Sequence, residues 1–219
     1  MHVSNTAIEA GAGEQRTQAE RRRRSREAIL GAAARGLSRH GYGNLVLEDV
    51  AREAGYTRGA LYHQFRGKEE LALAVLDWVE ESWREEVGTR VAAQADPVGA
   101  LLELARGHAV FCRRDVARFE MALRMEFSDA DHPLAQRLDA VGEALIERVT
   151  RLIRAGRRDG AIPGGPPAQT TARAFIGAIE GAVIGLRDQP AHDQELVARA
   201  GAGVLGLDPL TLEPAGGAS

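Results

Sequence analysis

Residues 46–65, VLEDVAREAGYTRGALYHQF, constrain this chain more than any other stretch, because they have room for two short helices and a tight turn and for little else. Leu47, Val50, Ala51 and Ala54 recur at the three-and-four spacing of one buried helix face, and Gly55 stands where a helix stop needs a residue at ease with positive φ. Thr57 then offers a hydroxyl to cap a second helix, predicted over 58–64, with Ala60, Leu61 and Phe65 turned inward. Arg58, Gly59, Tyr62 and His63 are left on the outer face. This is the arrangement a helix-turn-helix needs if its second helix is to enter a DNA major groove.

Charge supports that reading. The net charge of −3 conceals a strong polarity: residues 16–68 carry 12 Arg/Lys against 5 Asp/Glu, whereas residues 69–219 carry 16 against 24. A basic module followed by an acidic remainder fits one end that meets a polyanion, the alternative being an ordinary solvated helix surface. No run approaches the length of a membrane span, the polar N-terminus lacks a signal-peptide core, and Cys112 is the single cysteine. The expectation is a cytoplasmic protein without an intrachain disulfide or a membrane segment.

The rest of the chain reads as helices. Residues 1–17 have no apolar period and are expected to form a disordered extension. A first helix is predicted from about Gln18 to Arg39, opened by Arg21, Arg22, Arg23, Arg24 and Arg26, whose mutual repulsion a phosphate backbone relieves. After the motif, Lys68, the only lysine, begins a long helix with Leu71, Val75, Trp78, Val79 and Val87 on one side. There a compact ammonium beside free backbone N–H groups suits a phosphate. Asp96 and Pro97 open another helix, and 115–127 gives a further one. Pro133 starts a long amphipathic helix with Leu134, Leu138, Val141, Leu145, Val149 and Leu152 in its stripe. Two final helices cover about 168–186 and 193–205. Gly177, Gly181 and Gly185, at four-residue spacing, imply a closely approaching backbone, from a second subunit or from the same chain. With about nine helices and no strand, the class is all-α.

The segment SREAILGAAARGLSRHGYGNLVLEDVAREAGYTRGALYHQFRGKEELALAVL resembles the DNA-binding domain of TetR-family transcriptional regulators. Residues 122–163, with the glycine-bearing helix, are similar to the regulatory half of the family's multidrug-type repressors. The resemblance divides the chain into a helix-turn-helix domain at 18–67, a ligand-binding and dimerisation domain at 68–207 and a tail at 208–219. It implies a homodimer, paired through the last two helices, that binds a palindromic double-stranded operator and releases it when a small-molecule effector binds. It assigns phosphate contacts to Thr57 and Tyr62, close approach to bases to Arg58 and Gly59, either role to His63, and phosphate binding to Lys68. Arg22 and Arg24 are added as contacts from the first helix. One departure is plain: where the family usually opens its second helix with Thr or Ser, this chain has Leu45 and Val46, leaving Asn44 as the nearby cap.

For an effector, Trp78, His108, Phe111, Cys112, Phe119, Met121 and Met125 fall on the central helices that the family uses for its pocket, although ordinary core packing also explains them. Such a lining suits an apolar or planar molecule with one polar handle, for which His108, Arg124 and Glu126 are the candidates. Other constellations are weak. Gly201, Gly203 and Gly206 match a dinucleotide fingerprint with no strand before it. Asp129, Asp131 and His132 resemble a helix-capping loop more than a metal site. Cys112 and His108 read as core more readily than as a thiolate pair. No nucleophile, base and orienter come together, so no catalytic residue, metal or cofactor is expected. An activator or effector-independent regulator of the same fold is the nearest alternative; a helical enzyme, an RNA-binding protein and a purely structural helical protein are more remote.

Overall fold

The computed structural model describes residues 6–114, 119–127, 131–186 and 188–208, and the described elements are helices throughout. α1 (Thr6–His40) starts earlier than the sequence reading placed it. Ala7, Glu9, Ala10, Ala12, Glu14 and Gln15 are good helix formers, and a helix needs no apolar period to propagate through them. The expectation of a structureless extension over 1–17 is thereby corrected for residues 6–17. The arginine run lies inside α1 rather than at its start, so it faces no dipole penalty. Glu20 with Arg24 and Glu27 with Arg23 form i,i+4 pairs on either side of it.

α2 (Leu47–Glu53) and α3 (Arg58–Gln64) follow the expected boundaries closely. Gly55 takes φ +77° between them, and Thr57 Oγ1 accepts the Ala60 N–H at 3.2 Å as the α3 cap. Leu61 and Phe65 are buried against Ile29, Ala33 and Leu37 of the α1 stripe in the same core. Leu45, in the position where a hydroxyl was expected, is a core anchor: a Cβ on Gly36 would stand 2.7 Å from its Cδ1, so α1 has a glycine where the loop residue seats itself. Asn44 does not cap α2. Its amide donates to the His40 carbonyl and closes the end of α1 instead.

α4 (Lys68–Trp83) runs through a π-helical turn (Arg84–Gly88) into α5 (Thr89–Ala92) as one rod. α6 (Pro97–Cys112) begins with Asp96 accepting the Gly99 N–H at 2.8 Å and Pro97 in the first turn, as expected. α7 (Phe119–Glu126) is short, α8 (Pro133–Arg158) is long, and α9 (Ala168–Gly185) and α10 (Asp193–Val204) close the chain. α1 packs on α4 and α7, α8 on α6 and α9, and α10 on α6 and α9. α7 therefore lies between the N-terminal three helices and the larger body, in contact with both α1 and α8. Gly201 of α10 packs against the Phe175 ring of α9, so the fingerprint glycine is a packing glycine. Among the described residues no helix is long and apolar enough to cross a membrane.

Candidate DNA interface and ligand cavity

The outer face of α3 carries Arg58, Gly59, Tyr62 and His63, all exposed, with Thr57 at its N-terminus. Tyr62 and Val46 are 41% and 48% exposed. Arg58 is not extended into solvent. Its Nε lies 3.0 Å from Glu48 of α2 and its guanidinium 5.2 Å from the Tyr62 ring centroid. Both partners are surface groups, and an exposed pair of this kind is worth about 0–1 kcal/mol, so an operator can outbid it readily. Gly59 has no side-chain neighbour nearer than 3.9 Å from a built Cβ and leaves the α3 backbone open. On α1, Arg22 and Arg24 are exposed, Arg24 paired with Glu20 at 2.8 Å. Arg26 does something else, covering the Phe65 ring at 4.7 Å and tying α1 to the end of α3.

Lys68 departs from the sequence expectation of a free phosphate hook. Its Nζ donates to the Gly43 carbonyl at 2.9 Å and sits 4.7 Å over the Tyr42 ring, so it clamps the α1–α2 loop onto the start of α4. Phe127 and His132 continue this cluster, with ring centroids 5.1 and 5.7 Å from Tyr42 and 4.2 Å from each other. His132 Nδ1 accepts the Leu134 N–H and caps α8, which is the capping role foreseen for that loop. Among the described residues no three potential metal ligands converge; Asp129 lies outside them.

The same loop is held from a third side. Glu126, at the end of α7, accepts the backbone N–H groups of Tyr42 and Gly43, each at 2.6 Å, through its two carboxylate oxygens. Charge-assisted bonds to two consecutive amides are strong and directional. Glu126, weighed from sequence as a polar handle for a ligand, instead joins α7 to the DNA-binding helices. Tyr42 stays protonated well into the alkaline range, its phenol raised by burial and then by Glu69 and Glu126.

Toward its N-terminal end α7 faces a cavity of about 470 Å³ between α4, α6, α8 and α9. His108, Phe111 and Cys112 line it. Trp78 does not. Its ring points toward Gly31 of α1, and Trp83, five residues further round α4, takes the place in the wall. Phe119 is fully buried in the core, and the side chains of Met121 and Met125 lie outside the described residues. Desolvation lowers the His108 imidazole to about pH 4, so it is neutral beside Cys112, and no thiolate–imidazolium pair forms at neutral pH. Arg124 reaches across to α8, donating to the Leu138 carbonyl at 3.1 Å. Gly142 makes the room, since a Cβ there would stand 2.9 Å from the Arg124 Nη2.

Two cavity groups had no signal in the sequence. Glu120 of α7 and Glu180 of α9 both face the space, and burial raises both carboxyl groups, Arg124 pulling each back down and Glu180 adding to the rise at Glu120. A lone glutamate on a helix reads as solvated surface; only the packing of α7 and α9 reveals otherwise.

The profile of bacterial regulatory proteins of the tetR family matches residues 29–75, which span the α1 stripe, the two short helices and the start of α4. The transcriptional regulator CymR of Pseudomonas putida is 39% identical over 77 residues, 35% of this chain and 38% of that protein. TtgR of Pseudomonas putida, also a helix-turn-helix transcriptional regulator, is 26% identical over 169 residues, 75% of this chain and 80% of its own length. Residues 29–75 thus match the family's DNA-binding part, and the chain is similar to TetR-family regulators over most of its length. Its fold agrees over the whole body: a TetR-family transcriptional regulator from Streptomyces coelicolor superposes with a TM-score of 0.70 at 24% identity, covering 84% of this chain and 95% of that one. AibR, solved with isovaleryl coenzyme A and operator DNA, gives 0.65 at 21% over 84% and 98%. The relatives it matches are helix-turn-helix transcriptional regulators rather than enzymes.

Proposed function

We propose that this protein is a cytoplasmic TetR-family repressor that binds a palindromic operator as a homodimer and releases it when a small apolar or planar effector enters the cavity. The observation that carries the reading is α7, an eight-residue helix with Glu120 and Arg124 at the cavity and Glu126 on the α1–α2 loop. A ligand that shifts α7 alters the seat of the DNA-binding helices, and it releases operator to the extent that it prefers the shifted state. α3 supplies base contacts through Arg58 and phosphate contacts through Thr57 and Tyr62. An arginine paired bidentately with guanine discriminates by about 1–3 kcal/mol.

Support for a second copy comes from α9 and α10. Among the described residues Gly177, Gly181 and Gly185 have no atom within 4 Å of a built Cβ. Ile184 and Leu196 are 50% and 41% exposed on the same two helices. A partner copy covers both features.

The test is fluorescence anisotropy with palindromes from the DNA flanking the coding region, alongside a scrambled duplex and single strands. A salt-sensitive preference for one palindrome, bound by a dimer in sedimentation, is the expected result. Equal affinity for the scrambled duplex or for single strands refutes it.

A further inference from the structure

Residues 16–68 contain five acidic side chains, and four of them serve the internal frame of the basic end. Glu20 and Glu27 pair with Arg24 and Arg23 along α1, Asp49 pairs with Arg52 within α2, and Glu53 ties α2 to Arg35 and Arg39 of α1. Glu48 is different. Its Oε1 lies 3.0 Å from the Arg58 Nε, the only ion pair between α2 and α3 among the described residues, and this brings a carboxylate beside the outer face of α3. A negative charge there is repelled by every phosphate it approaches, so its electrostatics alone weaken binding.

What it does to Arg58 offsets that cost. A guanidinium is a planar fork of five N–H donors. Glu48 faces its Nε, and the Tyr62 ring, one turn further along α3, lies 5.2 Å from its Cζ. Beyond these two the guanidinium has no partner among the described residues, so its terminal nitrogens are left for a ligand. Two parallel donors at fixed spacing are the pattern that guanine O6 and N7 accept. An arginine without such supports keeps its rotamer freedom and reaches a phosphate instead, a contact that carries no sequence information.

We propose that Glu48 is a positioning residue for sequence readout, holding Arg58 beside Tyr62 so that the guanidinium meets a guanine edge rather than a neighbouring phosphate. This deepens the DNA-binding reading above and rests on it. Where the matching base is guanine, the terminal nitrogens engage it with the ion pair intact. Where it is another base, Arg58 gains a contact only by turning to a phosphate, which strips Glu48 of its counter-charge beside the DNA backbone. Glu48 therefore lowers affinity for every duplex and lowers it most for the wrong ones.

The test is selection by the full chain from a pool of duplexes randomised over about 24 base pairs, room for two half-sites, with the bound fraction sequenced. Wild type is expected to enrich a palindrome with guanine at one symmetric pair of positions, and Arg58→Ala to lose the preference at those positions alone. Glu48→Gln keeps the shape and removes the charge. It is expected to flatten the same positions by about three- to tenfold while binding the unselected pool about twofold more tightly, read by anisotropy. Glu48→Asp, which keeps the charge on a shorter stem, restores part of the preference. Glu48→Gln combined with Arg58→Ala is expected to match Arg58→Ala at every position, whereas a carboxylate that itself accepted a cytosine amine would still show a position of its own. Both side chains are exposed, and a melting curve for each variant verifies the fold. A guanine preference that Glu48→Gln leaves unchanged, or a change at positions that Arg58→Ala does not touch, overturns the assignment and leaves the regulator standing. A wild-type chain that enriches no sequence overturns both.

Discussion

Glu120 and Glu126 stand six residues apart on α7, about 9 Å along the helix axis, and they do opposite things with the same carboxylate. Glu126 has both oxygens filled by the amides of Tyr42 and Gly43. Glu120 faces the cavity, where burial raises its carboxyl, Arg124 pulls it back down and Glu180 adds to the rise. One end of the helix is a finished internal joint; the other lines a cavity.

The contrast is broken most severely at the finished end. Glu126→Ala removes two charge-assisted bonds and is expected to uncouple the effector from DNA: the operator complex persists at effector concentrations at least about tenfold above those that dissociate the wild type, read by anisotropy. An unchanged effector response means that α7 is not the link. Lys68→Ala, which frees the same loop from the α4 side, is expected to weaken cognate and scrambled duplexes alike, by about three- to tenfold, with little change in the salt dependence. Arg58→Ala is the control for both, since it lowers cognate binding by about five- to a hundredfold with much less effect on scrambled duplex.

Glu120→Gln probes the cavity end without ligand. A carboxyl raised by burial binds more protons folded than unfolded between its ordinary value and its raised one, so it loses stability as pH rises through that interval. The variant is therefore expected to gain about 2–5 °C in Tm at pH 8 and much less at pH 4.5, by scanning calorimetry. His108 has the opposite sign. Held at about 4, it costs stability as pH falls below about 6.5, so His108→Gln is expected to melt less acid-sensitively between pH 6.5 and 4. A parallel pair of melting profiles for wild type and His108→Gln places the imidazole in contact with solvent.

Much of this architecture was legible because its causes are local. Gly55 at positive φ, Thr57 as a cap, and Asp96 with Pro97 at the α6 start are decided by a few neighbouring residues, and each lies where spacing placed it. The cavity is less local. The periodicity of α4 finds an apolar face but cannot say that Trp78 meets α1 while Trp83 meets the cavity, because that depends on which helices flank the rod. Glu120 and Glu180 are 60 residues apart in sequence and become a pair only when α7 and α9 pack around one space. Glu126 was noticed as polar, but its donors lie 84 and 83 residues upstream, beyond any local pattern. The Leu45 departure likewise resolves only in three dimensions, through the glycine at position 36 that receives it.

Lys68 has one more consequence. Because it is the only lysine in these 219 residues, a lysine-specific endoprotease has a single peptide bond to cut, and that bond follows the residue that pins the α1–α2 loop to α4. Cleavage there separates α1, α2 and α3 from the helices that follow, with nothing else severed. The rate of that one cut is a clock for how often the joint between the two halves opens.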